Sequence, residues 1–133
     1  MSGKFSSDLR KFQRDTLEDI LRVREATAIK LFNAIVLDTP VLSGRLRANW
    51  RFSLNQPDYS TTDNTDRNGS MAFALISSTV DAADLDDTII MCNSLPYVKR
   101  IEYEGWSHTK APAGMVRKNV IRFKRLVEQQ ASA

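Results

Sequence analysis

The chain has 133 residues, of which 42% are hydrophobic and 26% charged, and this composition predicts one folded domain rather than a disordered chain. The net charge of +3 is too small to indicate a nucleic-acid binder by itself, and no apolar stretch is long enough to predict a membrane span. A charged segment follows Met1, so we expect no secretory signal, and the single cysteine, Cys92, excludes an internal disulfide.

The first predicted element is a helix of about 30 residues, roughly 45 Å long. Ser6 or Ser7 is suited to cap its N-terminus, and Pro40 disfavours helix at the preceding residue, so the helix should end near Asp38. In its first half, apolar residues recur with helical spacing opposite a charged face, which indicates an amphipathic surface helix. From Ala26 onward apolar residues lie nearly all round the helix, so we expect the second half to be buried.

The next elements are short. Ser43 is suited to cap one turn of helix, and Trp50–Leu54 alternates apolar and polar residues as a half-buried strand does. Residues 71–79 favour a short helix, and the β-branched run 88–92 predicts a buried strand. The polar segment 55–70 lies between them, and we expect it to be a flexible loop that orders against a neighbouring subunit.

Two helices complete the chain. Pro96 should open a short helix that Gly105 ends, and Pro112 should open the last helix. The last helix is predicted to bury one face and to be basic elsewhere; the buried face comprises Val116, Val120, Phe123 and Val127, and the basic residues are Arg117, Lys118, Arg122, Lys124 and Arg125. The fold class is therefore α+β in a single domain, 1–133, with a long helix over 1–38, and with short helices and a small antiparallel or mixed sheet in the body, 39–133.

Few residues are arranged for catalysis. His108 is the only histidine, and neither a Ser/His/Asp pattern nor a glycine-rich phosphate loop surrounds it. Cys92 lies in an apolar run, where an inert thiol is the default, and the acidic residues within 81–87 lack the spacing of a calcium loop. We therefore expect no catalytic residue, no metal and no cofactor.

Two clusters of residues carry a family resemblance. Residues 38–50 read Asp-Thr-Pro-Val-Leu-Ser-Gly-Arg-Leu-Arg-Ala-Asn-Trp, and residues 92–107 read Cys-Asn-Ser-Leu-Pro-Tyr-Val-Lys-Arg-Ile-Glu-Tyr-Glu-Gly-Trp-Ser, followed by Lys-Ala-Pro-Ala-Gly-Met-Val at 110–116. In this order they resemble the bacteriophage tail-component family of neck, head-to-tail joining and tail-completion proteins, of the minor tail protein Z type. Glu104 and His108 depart from the family pattern, and 55–87 has no counterpart in it.

The resemblance implies a structural virion protein, made in the host cytoplasm, that assembles into a ring, commonly a hexamer, at the junction of capsid and tail. The implied partners are further copies of the chain, a connector or adaptor, a tail terminator or tail tube protein, and genomic DNA that passes without sequence-specific binding; a membrane is not among them. The residues implied to be structural are Pro40, Gly44, Trp50, Asn93, Pro96, Tyr97, Gly105, Pro112 and Gly114. The residues expected at interfaces are Arg45, Arg47, Glu102, Tyr103, Trp106 and His108.

Some alternatives remain open. The basic last helix fits a DNA-binding accessory protein, and Glu102, Glu104 and Lys110 loosely resemble the carboxylates and lysine of a metal-dependent nuclease. Trp50 fits a core position as well as an interface. For Tyr97 we expect a core position, on one face with Ile101, against the strand that contains 89–91.

Overall fold

The computed structural model describes residues 2–105, 111 and 113–132. Over those residues the elements are α1 (Ser2–Asp38), α2 (Arg45–Ala48), β1 (Trp50–Leu54), α3 (Ser70–Ala82), β2 (Ile89–Asn93), α4 (Val98–Tyr103) and α5 (Val116–Ser132). The two strands pair antiparallel, with Trp50 opposite Asn93 and Leu54 opposite Ile89. The architecture is α+β, as predicted.

Helix α1 is longer than predicted at its N-terminus. It begins at Ser2, so Ser6 and Ser7 lie inside the helix and neither caps it. Its end at Asp38 agrees with the prediction from Pro40. With 37 residues it is about 55 Å long at 1.5 Å per residue.

The core lies where the C-terminal part of α1 packs on α3 and the sheet. Ile35 and Val36 of α1 are 3% and 0% exposed, and Ile76 and Val80 of α3 are fully buried. Leu37, in contrast, is 60% exposed, so the second half of α1 is buried on one side rather than all round. A helix that packs on a single layer buries only the stripe that faces it.

Residues 55–69 form no helix or strand, as predicted, but hydrogen bonds hold them to the body at several points. The side chain of Asn49 donates to the carbonyl of Thr62 at 3.0 Å and accepts from the Thr62 amide at 2.8 Å. Asp66 is 5% exposed, and its carboxylate accepts hydrogen bonds from the amides of Met71 and Ala72 in the first turn of α3. Mobility of the segment stays a prediction, restricted by these contacts.

The short helix after Ser43 is present, but its predicted cap and the predicted start of the last helix are wrong. The residue before α2 is Gly44, with φ of 94°, and the Ser43 hydroxyl accepts only a 3.3 Å hydrogen bond from the Arg45 amide. Helix α5 begins at Val116, four residues after Pro112, which itself lies outside the described residues. By contrast α4 follows Pro96 and ends before Gly105, with φ of 59°, as predicted.

The buried face of α5 also differs from the prediction. Val116 and Phe123 are half-buried, but Val120 and Val127 are 45% and 53% exposed. The face is centred on Asn119, which is fully buried. Its amide donates to Asp38 of α1 at 2.8 Å and to the Met115 carbonyl at 2.7 Å. Among the described residues, no helix has the length and apolar character to cross a membrane.

Candidate functional site

The two clusters that carry the family resemblance contact each other through Asn93. Its side-chain amide donates to the carbonyl of Leu46 in α2 at 3.0 Å, and its oxygen accepts from the Leu95 amide at 3.2 Å. Asn93 also lies opposite Trp50 in the sheet. The clusters are therefore neighbours in the fold although about 40 residues separate them in the chain.

Of the two positions considered for Trp50, in the core or at an interface, the structure shows the core position. Its side chain is 4% exposed, and its indole N–H donates to the hydroxyl of Thr39 at 2.9 Å. The Thr39 hydroxyl donates in turn to the carbonyl of Ile35 at 2.7 Å. Because an indole N–H buried without a partner is costly, Thr39 is what permits a tryptophan here.

Arg47 binds the backbone of its own chain at three points. Its guanidinium donates to the carbonyls of Leu37 at 2.9 Å, Thr39 at 3.2 Å and Arg67 at 2.8 Å. Carbonyls near the C-terminus of a helix have no partner within the helix, so a cation there stabilises the end of α1. Arg47 thereby joins α1, α2 and the loop before α3.

Arg45 makes weaker contacts. Its Nε lies 3.4 Å from the Thr62 carbonyl, and its guanidinium forms a 3.3 Å ion pair with Asp63, whose side chain is 99% exposed. An ion pair so open to solvent contributes little to stability. Arg45 therefore remains a candidate for a surface contact.

Gly44 lies where two stretches of backbone approach closely. A β-carbon at this position would be 2.7 Å from the amide nitrogen of Arg67, and φ is 94°, a region that side chains rarely adopt. The Gly44 carbonyl also accepts from the amides of Ala48 and Asp66. Glycine is thus required by the contact between the first cluster and the loop.

Glu102 caps α5 and does not face outward, which corrects its assignment to an interface. The residue is 7% exposed. One carboxylate oxygen accepts from the amides of Met115 at 2.6 Å and Val116 at 2.9 Å, and the other accepts from the amide of Arg117 at 2.8 Å. A carboxylate at a helix N-terminus satisfies amides that have no partner in the helix and favours the positive end of the helix dipole.

The environment of Glu102 keeps its carboxylate ionised. Burial is the largest single influence on the pKa of Glu102 and acts to raise it. The hydrogen bonds from the amides of Arg117, Val116 and Met115, with that from the Arg117 side chain, together outweigh burial. The pKa therefore lies below its ordinary value of 4.5.

Tyr103 and Arg117 form the surface next to this cap. Tyr103 is 64% exposed, and the guanidinium carbon of Arg117 lies 4.4 Å from the centre of its ring. Arg117 also donates to the carbonyl of Glu102 at 2.5 Å and forms a 3.3 Å ion pair with its carboxylate. Tyr103 is therefore held in place yet open to a partner.

The remaining expected interface and motif positions divide into two groups. Tyr97, the residue before α4, is half-buried against the core, and Ile101 in α4 is 5% exposed, so both contribute to the core as predicted. Trp106 and His108 lie outside the described residues, so their proposed contacts stay predictions.

Two anchoring residues escaped prediction. Asp66 stands several residues ahead of the helix that it caps, and Arg24 reaches across about 60 residues of sequence. The Arg24 guanidinium donates to the carbonyls of Asp84, Leu85 and Asp87. Local spacing carries no signal for either contact; only the presence of Asp66 in a loop that precedes a helix was a usable hint.

Two helical surfaces stay open to solvent. In α1, residues 3–20 are exposed apart from half-buried Ser6, and we call residues 3–23 the α1 arm. In α5, Ile121 and Leu126 are about half exposed, and Arg122, Lys124 and Arg125 are exposed as well. Exposed apolar residues on a helix with no neighbour indicate contact surfaces.

The acidic turn has a structural role. The Asp87 carboxylate accepts from the side-chain amide of Asn55 at 2.9 Å and from the backbone amide of Asp84 at 2.8 Å. Within the described part of the chain, no group of three or more His, Cys, Asp or Glu residues could hold a metal ion. These hydrogen bonds hold the turn together and attach it to Asn55, the residue after β1.

Comparison of the chain with protein-family models, with curated proteins and with solved structures gives no match in any of the three. The resemblance in residues 38–50 and 92–116 therefore remains a prediction from those residues alone.

Proposed function

We propose that the protein is a structural subunit of a tailed bacteriophage particle, which assembles into a ring where capsid and tail join. The subunit would bind a connector or adaptor on the capsid side of the ring and a tail terminator or tail tube protein on the tail side. DNA would pass through the ring without sequence-specific binding. The family resemblance is the source of this proposal, and the contacts of the motif residues support it.

The observation that carries the proposal is the use of the polar motif side chains. Arg47, Asn93 and Glu102 each bind main-chain groups of the same chain. A catalytic or ligand site instead presents convergent polar groups in an open cleft. A structural subunit depends on such residues, because their contacts fix the path of the backbone and therefore the shape that the subunit presents to its partners.

Ring formation requires two different surfaces on each subunit, because contacts in a cyclic ring are head to tail. One candidate surface is the charged side of the α1 arm. The other is the stretch from Tyr103 to Lys110, of which the structure describes residues 103–105. These surfaces lie on separate elements, so the two contacts of a ring subunit do not compete for the same residues.

The basic C-terminal segment is compatible with passage of DNA. In α5, Arg117 is paired with Glu102 and Lys118 lies 3.5 Å from Asp38, so two of the five basic residues of this helix already contact acids of the chain. Each neutralised phosphate adds salt-dependent affinity, and strong binding would hold the genome back. A weakly basic surface suits a channel better than a fully basic one.

The proposal is tested by deleting the gene in a phage that carries it. We expect DNA-filled capsids and free tails that do not join, as seen by electron microscopy of the lysate, and a copy of the intact gene supplied in trans should restore joined particles. A copy with an early stop codon is the control for expression from the plasmid. Joined, infectious particles formed without the gene would contradict the proposal.

A second candidate is a DNA-binding accessory protein, favoured by the excess of basic residues, eight against three acidic, in 99–133. The exposed residues Arg122, Lys124 and Arg125 would supply the phosphate contacts. Affinity for a short duplex should then fall steeply with salt, with a slope reduced by about 0.9 for each basic residue replaced by Gln. Weak binding at low salt, unaffected by the three substitutions, excludes this candidate.

A further inference from the structure

The α1 arm is a helix with no packing partner among the described residues. Its exposed stretch, 3–20, is about 27 Å long at 1.5 Å per residue. Its apolar side chains are largely in solvent: Phe5 is 71% exposed, Leu9 48%, Phe12 68%, Ile20 52% and Val23 67%. Helices in proteins owe most of their stability to the packing of an apolar face, so this arm lacks its main source of stability as a single chain.

These side chains form one stripe. At about 100° per residue, the positions Phe5, Leu9, Phe12, Thr16, Ile20 and Val23 fall within roughly 80° of the helix circumference. By the same rotation Ile35 and Val36, through which α1 packs on the body, lie about 100° and 160° round the helix from the centre of the stripe. The described part of the body therefore packs on a different side of α1 and leaves the stripe exposed, which points to another molecule as its cover.

We propose that this molecule is a second copy of the chain, and that the two α1 arms pair antiparallel to form a homodimer. The stripe is self-complementary when the centre of the pair lies near residue 14. Phe5 then faces Val23 of the other copy, Leu9 faces Ile20, and Phe12 faces Thr16. Each apolar side chain of the stripe is covered, and the two bodies lie at opposite ends of the pair.

The distribution of charge selects the antiparallel arrangement. Residues 4–14 carry four basic groups and one acidic group, whereas residues 15–25 carry four acidic groups and two basic ones. Antiparallel pairing puts the basic half of each arm beside the acidic half of the other.

On the flank of the stripe, the same register puts Asp8 beside Arg22 of the other copy and Lys11 beside Asp19. Arg22 and Asp19 already pair within one chain at 2.9 Å, but both side chains are about 70% exposed and remain accessible. In a parallel pair, each half of the arm would lie beside the same half of the other copy. Like charges would then be neighbours, which is unfavourable. The stripe also ends where the bodies begin, so parallel arms would crowd the two bodies together.

This inference goes beyond the proposed function and does not depend on it. The antiparallel pair is isologous, since each copy uses the same surface, whereas a cyclic ring uses two. The dimer is the form of the free protein.

The first experiment measures the mass of the purified full-length protein by light scattering or sedimentation over a dilution series. We expect twice the 15.1 kDa of the chain. Phe12→Glu, in the middle of the stripe, should reduce the mass to that of one chain. The matched control is Leu17→Glu, which also replaces an exposed apolar residue of the arm, 51% exposed, but lies about 140° round the helix from Phe12. It should leave the dimer intact, and circular dichroism checks that both variants keep the folded body.

The second experiment tests the direction of pairing with cysteines in a Cys92→Ala background. When the Leu9→Cys and Ile20→Cys proteins are mixed under oxidising conditions, antiparallel arms should give the mixed disulfide in preference to either self-linked product. A charge reversal, Asp8→Arg, should weaken the dimer, and adding Arg22→Asp should restore it. A single-chain mass for the unchanged protein, an assembly that survives Phe12→Glu, or preferential self-linking of Leu9→Cys would each overturn the proposal.

Discussion

A β-carbon at Gly114 would lie 2.6 Å from the carbonyl oxygen of Glu102 and 2.8 Å from its carboxylate. The backbone ahead of α5 thus approaches the end of α4 more closely than any side chain permits. This closeness is what brings the amides of Met115 and Val116 within hydrogen-bonding distance of Glu102. Gly114 and Glu102 therefore act as one joint between α4 and α5.

Replacing Gly114 with alanine should destabilise the domain. Its φ of 82° is a left-handed conformation that costs a side-chain-bearing residue about 1–2 kcal/mol, and displacement of Glu102 adds to that. Denaturant unfolding of Gly114→Ala should show a lower free energy of unfolding. Gly3→Ala is the matched control: a β-carbon there meets nothing within 4 Å, so stability should stay equal or rise slightly. Equal stability of the two variants would contradict the described joint.

The pH dependence of stability should reveal the Glu102 cap. Since its pKa is lowered in the folded state, the ionised carboxylate stabilises the fold at all pH values above the ordinary 4.5, and this contribution is lost as the pH falls through the folded-state pKa. Glu102→Gln should be less stable near neutral pH. Its difference from the unchanged protein should shrink below pH 4.5. A difference that does not vary with pH would show that the charge has no part in the cap.

Arg47 should contribute more to stability than Arg45. Arg47→Met leaves the carbonyls of Leu37 and Thr39 without their charged donor, and a hydrogen bond to a charged group contributes about 1.5–3 kcal/mol. Arg45→Met, the matched control, removes an exposed ion pair that contributes at most about 1 kcal/mol. Thermal unfolding of both variants provides the comparison. A larger loss for Arg45→Met would reverse the assignment.

Tyr97 and Trp106 should differ in what their removal affects. Tyr97 is half-buried against the core, so Tyr97→Ala should lower the free energy of unfolding, though by less than the roughly 3–5 kcal/mol typical of a fully buried aromatic. Trp106→Ala should leave unfolding nearly unchanged and prevent incorporation into particles, since an interface anchor contributes roughly 2 kcal/mol or more to association. Infectious particles that contain Trp106→Ala would remove Trp106 from the interface.

The sequence predicted the elements with local signals well. Pro40 ends α1 and Gly105 follows α4 because both act on their own backbone. The alternation in Trp50–Leu54 predicted β1, although burial in the strand does not alternate: Trp50 is buried and the four residues after it are half-buried. In each case the cause and the effect lie within a few residues.

The prediction failed where the cause lies in a distant part of the chain. Pro112 was expected to open the last helix, but α5 begins at Val116, where the carboxylate of Glu102 accepts its first amides. For the same reason Glu102 was assigned to an interface: spacing shows that it faces away from Ile101, but not that the start of another helix lies there. Apolar periodicity could not indicate the packed face of α5 either, because that face is centred on Asn119, a buried polar residue that donates to Asp38.

The two strands have no short connection, since residues 55–88, with all of α3, lie between Leu54 and Ile89. Pairing of β1 with β2 must therefore close a long loop, which costs more chain entropy than forming α1 or α3. We expect the sheet to form late in refolding, with amide protection appearing in both helices before it appears in β1, as measured by pulsed hydrogen exchange. Early protection in β1 would contradict this order. If pairing follows the rate-limiting step, a truncation in β1 such as Phe52→Ala should speed unfolding and leave the folding rate nearly unchanged.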